Sequence, residues 1–337
     1  MRIGKILLVT VCVLVVLLAG LISFTIGWRP ILGPRARSLT SRKFESTPQR
    51  LERGKYLANA VSGCSFCHSE HDWTRRDVPI LPGREGAGEV LPFGGLPGRI
   101  VASNLTPDVQ TGAGGWSDDQ LARAIREGVG HDGRALFPMM AYARFRSMSD
   151  EDLASVIVYL RSLQPVHNVL PPTEIIFPVK YLIRNAPQPL EGPVASPDSS
   201  DRIAWGRYLT TIGGCEDCHT ARDAHGQEIP GVNFAGGFVV KDPIGTAAAA
   251  NLTPDATGIS YYDENLFLQA MRTGYVKARP LNPVMPFGFY AHMTDDDLKA
   301  IFAYLRTLPP IKHRVDNSLP PTYCKLCQQK HGAGDQN

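Results

Sequence analysis

The pattern C-x-x-C-H occurs twice, as Cys64-Ser-Phe-Cys-His68 and Cys215-Glu-Asp-Cys-His219, each inside a longer stretch that itself repeats. Arg53-Gly-Lys-Tyr-Leu57 precedes the first and Trp205-Gly-Arg-Tyr-Leu209 the second. Downstream, Asn104-Leu-Thr-Pro-Asp108 returns as Asn251-Leu-Thr-Pro-Asp255, Met148-Ser-Asp-Glu-Asp-Leu153 as Met293-Thr-Asp-Asp-Asp-Leu298, and Val158-Tyr-Leu-Arg161 as Ala303-Tyr-Leu-Arg306. Any fold for this chain must place two copies of one unit, each organised around its own cysteine pair.

Within each copy the helical signals stand at the two ends. Residues 49–62 and 201–213 predict opening helices that lead to the cysteines, and 150–163 and 295–308 carry apolar residues at helical spacing behind Ser149 and Thr294 N-caps. A third helix is predicted at 118–127, started by a Ser117-x-x-Gln120 capping box, and again at about 263–273. Gly54 and Gly206 sit where an opening helix can be crossed closely, with Tyr159 and Tyr304 as aromatic partners on the closing helices. The remainder reads as loop.

A unit of roughly 115 residues with few long apolar runs is marginal unless something else fills its centre. The cysteine motif supplies a filler: two thiols on one helical turn can each add to a haem vinyl group, and the adjacent histidine is then placed to bind the iron. A thiol-redox pair or half a zinc site leaves the recurring histidine unexplained. Cys64, Cys67, Cys215 and Cys218 are the candidate attachment residues for two covalent haems, with His68 and His219 as proximal ligands. A sixth ligand is expected before the closing helix, and Met/His ligation gives the raised potential usual for c-type electron carriers. Met140 and Met285 stand eight residues before Met148 and Met293, whereas Met139 aligns with Val284. Met148 and Met293 immediately precede helix caps, where a hydrophobic staple accounts for them. Met140 and Met285 are therefore the candidate distal ligands.

His71, His131, His167, His225, His292 and His313 share no position in the duplication and are expected as surface or loop residues, with His131 the main rival to Met140. The repeated Asn-Leu-Thr-Pro-Asp segments read as turns with a polar edge. A role in framing the haem edge is the functional alternative.

From Ile6 to Trp28 run 23 residues without charge. At about 1.5 Å per residue this crosses roughly 30 Å of hydrocarbon, and no small-x-small cleavage site precedes Trp28, so the segment is expected to be an uncleaved anchor. Basic residues flank both sides, so they give no orientation. Cys12 within the run reads as a small hydrophobe. The balance of 35 basic to 32 acidic side chains is too even for a protein that grips a nucleic-acid backbone. Residues 164–200 hold eight prolines, a stiff connection whose apolar stretch 175–183 can pack on a domain surface.

With these motifs assembled, the sequence resembles the class I cytochrome c domains of the cytochrome subunits of membrane-bound alcohol and gluconate dehydrogenases. The resemblance rests on the C-x-x-C-H and Asn-Leu-Thr-Pro-Asp segments, on Thr111-Gly-x-Gly-x-Trp116-Ser117, and on Pro-x-Met before Met-Ser-Asp-Glu-Asp; it covers both copies. It implies an all-α protein of two tandem class I cytochrome c domains, each around one covalent haem c, after an N-terminal transmembrane helix. The expected division is 1–28 anchor, 29–48 linker, 49–164 first domain, 165–200 Pro-rich linker, 201–312 second domain and 313–337 C-terminal tail. It further implies a single-pass protein of the bacterial inner membrane, N-terminus cytoplasmic and haem domains periplasmic. Such a chain transfers electrons between a redox partner, a dehydrogenase or quinone-linked complex, and another respiratory carrier or oxidase, without transforming a substrate. The rival from another class is a dihaem enzyme, peroxidase-like or thiosulfate-oxidising, which needs an open iron position where both copies retain a methionine.

The third pair departs from the resembled subunits, which typically have three C-x-x-C-H motifs. It reads Cys324-Lys-Leu-Cys327-Gln328, without the histidine. A zinc site there is short of a ligand, because the tail offers only Cys324, Cys327 and His331. A disulfide in an oxidising compartment needs nothing further, and is the expectation.

Overall fold

The structure, a computed structural model, describes residues 2–223 and 226–332, so His225 lies outside the described residues. Its regular structure is mostly helical, with short two-stranded antiparallel ladders between the helices. Helix α1 (Arg2–Phe24) is long and apolar enough to cross a membrane, and its large apolar side chains from Leu7 to Leu18 are exposed. It stops short of the end of the uncharged stretch. Gly27 turns the backbone at φ 70°, its N–H bonding to the Ile22 carbonyl, and the Trp28 indole donates to the Ser23 hydroxyl. Helix α2 (Arg29–Leu32) follows.

Helix α3 (Pro48–Tyr56), capped by Thr47, opens the first repeat and continues as one buried π-helical turn, Leu57–Val61. Helix α4 (Cys64–Cys67) holds the cysteine pair. Helix α5 (Asp118–Glu127) starts at a complete Ser117/Gln120 capping box, and after α6 (Tyr142–Phe145), α7 (Asp150–Ser162) closes the unit behind its Ser149 cap. Beyond α8 (Val179–Leu182), the second repeat runs through the same series: α9 (Arg202–Ile212), α10 (Cys215–His219), α11 (Glu264–Thr273), α12 (Phe287–Tyr290) and α13 (Asp295–Leu305). In each repeat the opening and closing helices cross at a glycine. A Cβ on Gly54 would collide with the Ser155 carbonyl oxygen and stand 2.8 Å from Tyr159 Cβ; one on Gly206 would collide with the Ala300 carbonyl oxygen. Only glycine lets the two backbones come this close.

The repeats share one apolar core and touch reciprocally. Tyr56 donates to Asp297 at 2.5 Å and accepts from the Thr294 N–H at 3.1 Å, while its counterpart Tyr208 donates to Asp152 at 2.6 Å and accepts from the Ser149 N–H at 3.1 Å. Each opening helix thus caps the closing helix of the other repeat, as across a two-fold axis. The attachment turns follow the same rule. Phe66, between Cys64 and Cys67, packs on Phe289 of α12 with ring centroids 6.0 Å apart, and Arg144 of α6 pairs with Glu216 and Asp217, between Cys215 and Cys218, at 2.9 and 2.8 Å.

The connecting segments are fastened to the first repeat. Arg37 pairs with Asp119 and Glu127 of α5, each at 2.7 Å, and so pins the stretch expected as the 29–48 linker. In the Pro-rich connection, Glu174–Ile175 forms a ladder with Gly98–Arg99, and Arg184 and Asn185 donate to the Pro30 and Ile26 carbonyls. The apolar stretch 175–183 accordingly lies on the first repeat and the turn that follows α1.

Candidate haem-binding sites

Each attachment turn sits just beyond an opening helix. In α4 the Cys67 N–H bonds to the Gly63 carbonyl at 3.0 Å and the His68 N–H to the Cys64 carbonyl at 2.9 Å, the single helical turn that two thioether links to one haem require. Burial pushes the thiols of Cys64, Cys67 and Cys215 up to about 12, which keeps them neutral.

The two histidines are held identically. His68 Nδ1 lies 2.7 Å from the Ser103 carbonyl oxygen and His219 Nδ1 lies 2.8 Å from that of Ala250. A carbonyl only accepts, so Nδ1 carries the proton and Nε2 keeps a free lone pair for a metal. Burial lowers both imidazole pKa values, against a smaller opposing effect of the carbonyl bond. The accepting carbonyl belongs in each case to the residue before Asn-Leu-Thr-Pro-Asp, which explains that segment's chemistry. Buried Asn104 accepts from the Thr106 N–H and hydroxyl at 2.9 and 2.7 Å and donates to the Val166 carbonyl at 2.8 Å; Asn251 does the same with Thr253 and Ile311 at 2.9, 2.8 and 2.8 Å. The turn, tied to the segment beyond the closing helix, fixes the carbonyl that orients the imidazole.

A cavity of about 720 Å³ opens against Cys64, Cys67 and His68 in the first repeat. Met139, Met140 and Met148 also line it, with Leu105, Trp116, Ile125 and Phe145 among its apolar walls. This lining offers two thiols, an imidazole nitrogen, a thioether sulfur and an apolar slot, the donor set that a covalent haem requires. Met140 and Met285 occupy the same local turn: each N–H bonds back three residues, to Phe137 and Asn282, and each carbonyl accepts from the N–H two residues on. Met148 and Met293 are core residues, 0% and 2% exposed. His131 is exposed, stacks on Trp116 with centroids 4.2 Å apart, and is not among the residues lining the cavity.

Two of the histidines expected at the surface or in loops lie in loops but are buried. His71 is buried beside Glu89, its Nδ1 3.3 Å from the carboxylate, because it sits in the loop folded under the first attachment turn. His313 is buried against the C-terminal segment. The expected Cys324–Cys327 disulfide is also corrected: both cysteines are free, because the tight turn that carries them aims their sulfurs at histidines. The sequence reading passed over Arg134 and Arg279, which stand six residues before Met140 and Met285. Arg134 lines the first cavity, and Arg279 lines one of about 420 Å³ beside the Ala250–Asn251 turn of the second repeat. The duplication itself was the signal that could have found them.

No family model matches the chain. It is 29% identical over 316 residues to a nicotinate dehydrogenase subunit of Pseudomonas putida, an alignment that covers 86% of this chain and 24% of that protein. It is 30% identical over 272 residues to the fructose dehydrogenase cytochrome subunit of Gluconobacter japonicus, covering 77% of this chain and 52% of the relative. A dihaem c-type cytochrome of Cereibacter sphaeroides is 27% identical over 257 residues, 75% of this chain and 84% of that protein. The chain spans about a quarter to three fifths of the length of the first three curated relatives it matches. Its homologues include cytochrome c subunits of gluconate, fructose and alcohol dehydrogenases and a dihaem c-type cytochrome, relatives that point to covalently bound haem c.

Proposed function

We propose that this chain is a membrane-anchored dihaem cytochrome of two tandem class I domains, residues 49–164 and 201–312, that carries electrons and transforms no substrate. In this reading α1 is a single-pass anchor with its N-terminus in the cytoplasm, and the haem domains lie in the bacterial periplasm. The observation that carries the proposal is the duplicated ligand frame: a histidine, half-buried in the first repeat and buried in the second, with Nδ1 bonded to a fixed carbonyl and Nε2 left for a metal. Cys64 and Cys67, and Cys215 and Cys218, hold the two haems; His68 and His219 are proximal ligands, Met140 and Met285 distal ones. Bound haem supplies the one-electron ferric/ferrous couple. The chain's own residues do the rest. Ser103 and Ala250 hold the imidazoles in one tautomer, Leu105, Ile125 and Phe145 keep water from the first site, and Arg134, on the same cavity, would give a cationic partner to the carboxylates of a haem held there. The electron donor is a dehydrogenase or quinone-linked partner and the acceptor another respiratory carrier, by analogy with the relatives.

Electron paramagnetic resonance and near-infrared spectra of the oxidised protein test this. The expected result is two low-spin, six-coordinate His/Met irons. Met140→Ala and Met285→Ala should each remove half of the methionine-to-iron charge-transfer absorption, lower that haem's potential and admit carbon monoxide. A high-spin iron with an open position in the unaltered protein would overturn the reading in favour of a dihaem enzyme.

A further inference from the structure

Apart from the two attachment motifs, four side chains converge in the C-terminal segment. His313 Nε2 stands 3.2 Å from Cys324 Sγ, and Cys327 Sγ stands 2.9 Å from His331 Nε2. One ligand atom from each of the four lies within 4.8 Å of all the others. Cys327, His313 and His331 are 1%, 5% and 5% exposed. A tetrahedral zinc with Zn–S of about 2.3 Å and Zn–N of about 2.0 Å spaces its ligand atoms by about 3.5 Å, the scale of this cluster. The backbone is shaped to make it. Thr322–Tyr323 pairs antiparallel with Lys330–His331, the Cys324 N–H bonds to the Gln329 carbonyl at 2.8 Å, and Gln328 takes a left-handed φ of 56°.

The first repeat provides an internal control. Asn168 is the counterpart of His313: their N–H groups bond to Thr111 and Thr257 hydroxyls at 3.0 and 2.9 Å. Their side chains also make one bond in common, Asn168 Nδ2 to the Ala87 carbonyl at 2.9 Å and His313 Nδ1 to the Ala235 carbonyl at 2.8 Å. Asparagine ends there, whereas imidazole carries a second nitrogen, and that nitrogen faces Cys324. The bond to Ala235 fixes the tautomer that leaves Nε2 as a ligand, the outer-sphere support usual for metal-binding histidines. Beside the cluster, Gly237 at φ 97° keeps the space clear; a Cβ there would stand 2.7 Å from His313 Cε1 and 3.0 Å from His331 Nε2.

We propose that His313, Cys324, Cys327 and His331 bind one zinc ion in a closed, structural Cys2His2 centre. His313, at the start of the tail, is the fourth ligand that the turn from Cys324 to His331 lacks. A Cys324–Cys327 disulfide would leave two buried imidazole nitrogens facing sulfur with no donor, and Gln328 denies a haem its axial histidine. The centre fastens the tail to the second haem's surroundings. Asn317 bonds both the N–H and the carbonyl of Ala248, and the Ala235 that receives His313 adjoins Gly236, whose N–H bonds to the His219 carbonyl at 2.7 Å.

Elemental analysis of the detergent-purified, haem-loaded full chain should give two irons and one zinc, with Cys324 and Cys327 alkylated only after chelation. Cys324→Ser should lose the zinc and keep both haems by pyridine haemochrome counting. His313→Asn installs the residue of the first repeat, retains the Ala235 bond and so keeps the fold; it should lose the zinc as well. Absence of zinc from the unaltered protein, a Cys324–Cys327 disulfide in non-reducing peptide maps, a third iron, or zinc retained in both variants would each overturn the proposal. Both haems can be present in any of these results, so failure here leaves the electron-transfer reading standing.

Discussion

Gly54→Ala sets helix propensity against helix packing, and the two predict opposite signs. Propensity alone favours alanine by up to about 1 kcal/mol in a helix interior. The structure opposes it, because the new Cβ would collide with the Ser155 carbonyl oxygen and crowd Tyr159 Cβ at 2.8 Å. Both obstacles belong to the α7 backbone or its first side-chain atom, so no rotamer change relieves them, and α3 and α7 must part by about 1 Å. At such a gap a dispersion contact forfeits a quarter to a half of its well, about 1–5 kcal/mol for a side chain with about 50 contacts. Leu57, Val156 and Ile157 are 0% exposed in this core and all feel the separation. After partial closure and the propensity gain, the net loss is about 2–3 kcal/mol. At roughly 2–4 °C per kcal/mol for a unit of this size, the midpoint should fall by about 4–12 °C. Thermal unfolding of the haem-loaded protein in detergent, followed by far-ultraviolet circular dichroism, measures it, and Gly206→Ala should behave alike. An unchanged or raised midpoint would refute the close crossing.

Arg37→Ala should cost about 3 kcal/mol in denaturant unfolding, because Asp119 and Glu127 would stay buried without their cation; a loss below about 0.5 kcal/mol would show that the strap is idle. Burial alone would raise the Asp119 carboxyl, but hydrogen bonds from Arg37 and Thr40 outweigh it and hold it at about 2. This lies below the unfolded value of about 3.9, so its stabilisation is complete above about pH 4 and is lost as pH falls towards 2. Arg37→Ala should move the acid unfolding midpoint upward, and identical acid profiles would contradict the assignment. Tyr56→Phe and Tyr208→Phe each remove a donor to a carboxylate and an acceptor for a helix-terminal N–H, for about 1–3 kcal/mol apiece; urea midpoints affected by only one of the two would break the reciprocity.

What the sequence made legible was whatever the duplication states twice in the same letters. The Ser117 capping box, the Ser149 and Thr294 caps and the crossing glycines are local rules or identical residues, and α5, α7 and α13 begin where those rules put them. The Met140/Met285 pairing also came from register, and both methionines lie in matching turns. Reciprocity between the repeats was out of reach, since Tyr56 meets Asp297 across 241 residues and neither residue type announces the other. His313 was overlooked because its counterpart is an asparagine. Its role is visible only once Asn168 and His313 are seen to bond to equivalent carbonyls, those of Ala87 and Ala235.

The contacts between attachment turns and α6 or α12 bear on which surfaces can recognise which. The two positions in each repeat have diverged in chemistry: Phe66 meets Phe289, whereas Glu216 and Asp217 meet Arg144. Were two first repeats from separate chains to dock in the same way, Arg144 would be pressed against Phe66, its guanidinium stripped of carboxylates. Two second repeats would set Glu216 and Asp217 against Phe289. Each mismatch buries charge without a partner, a cost of several kcal/mol. The halves therefore discriminate against their own kind and select each other.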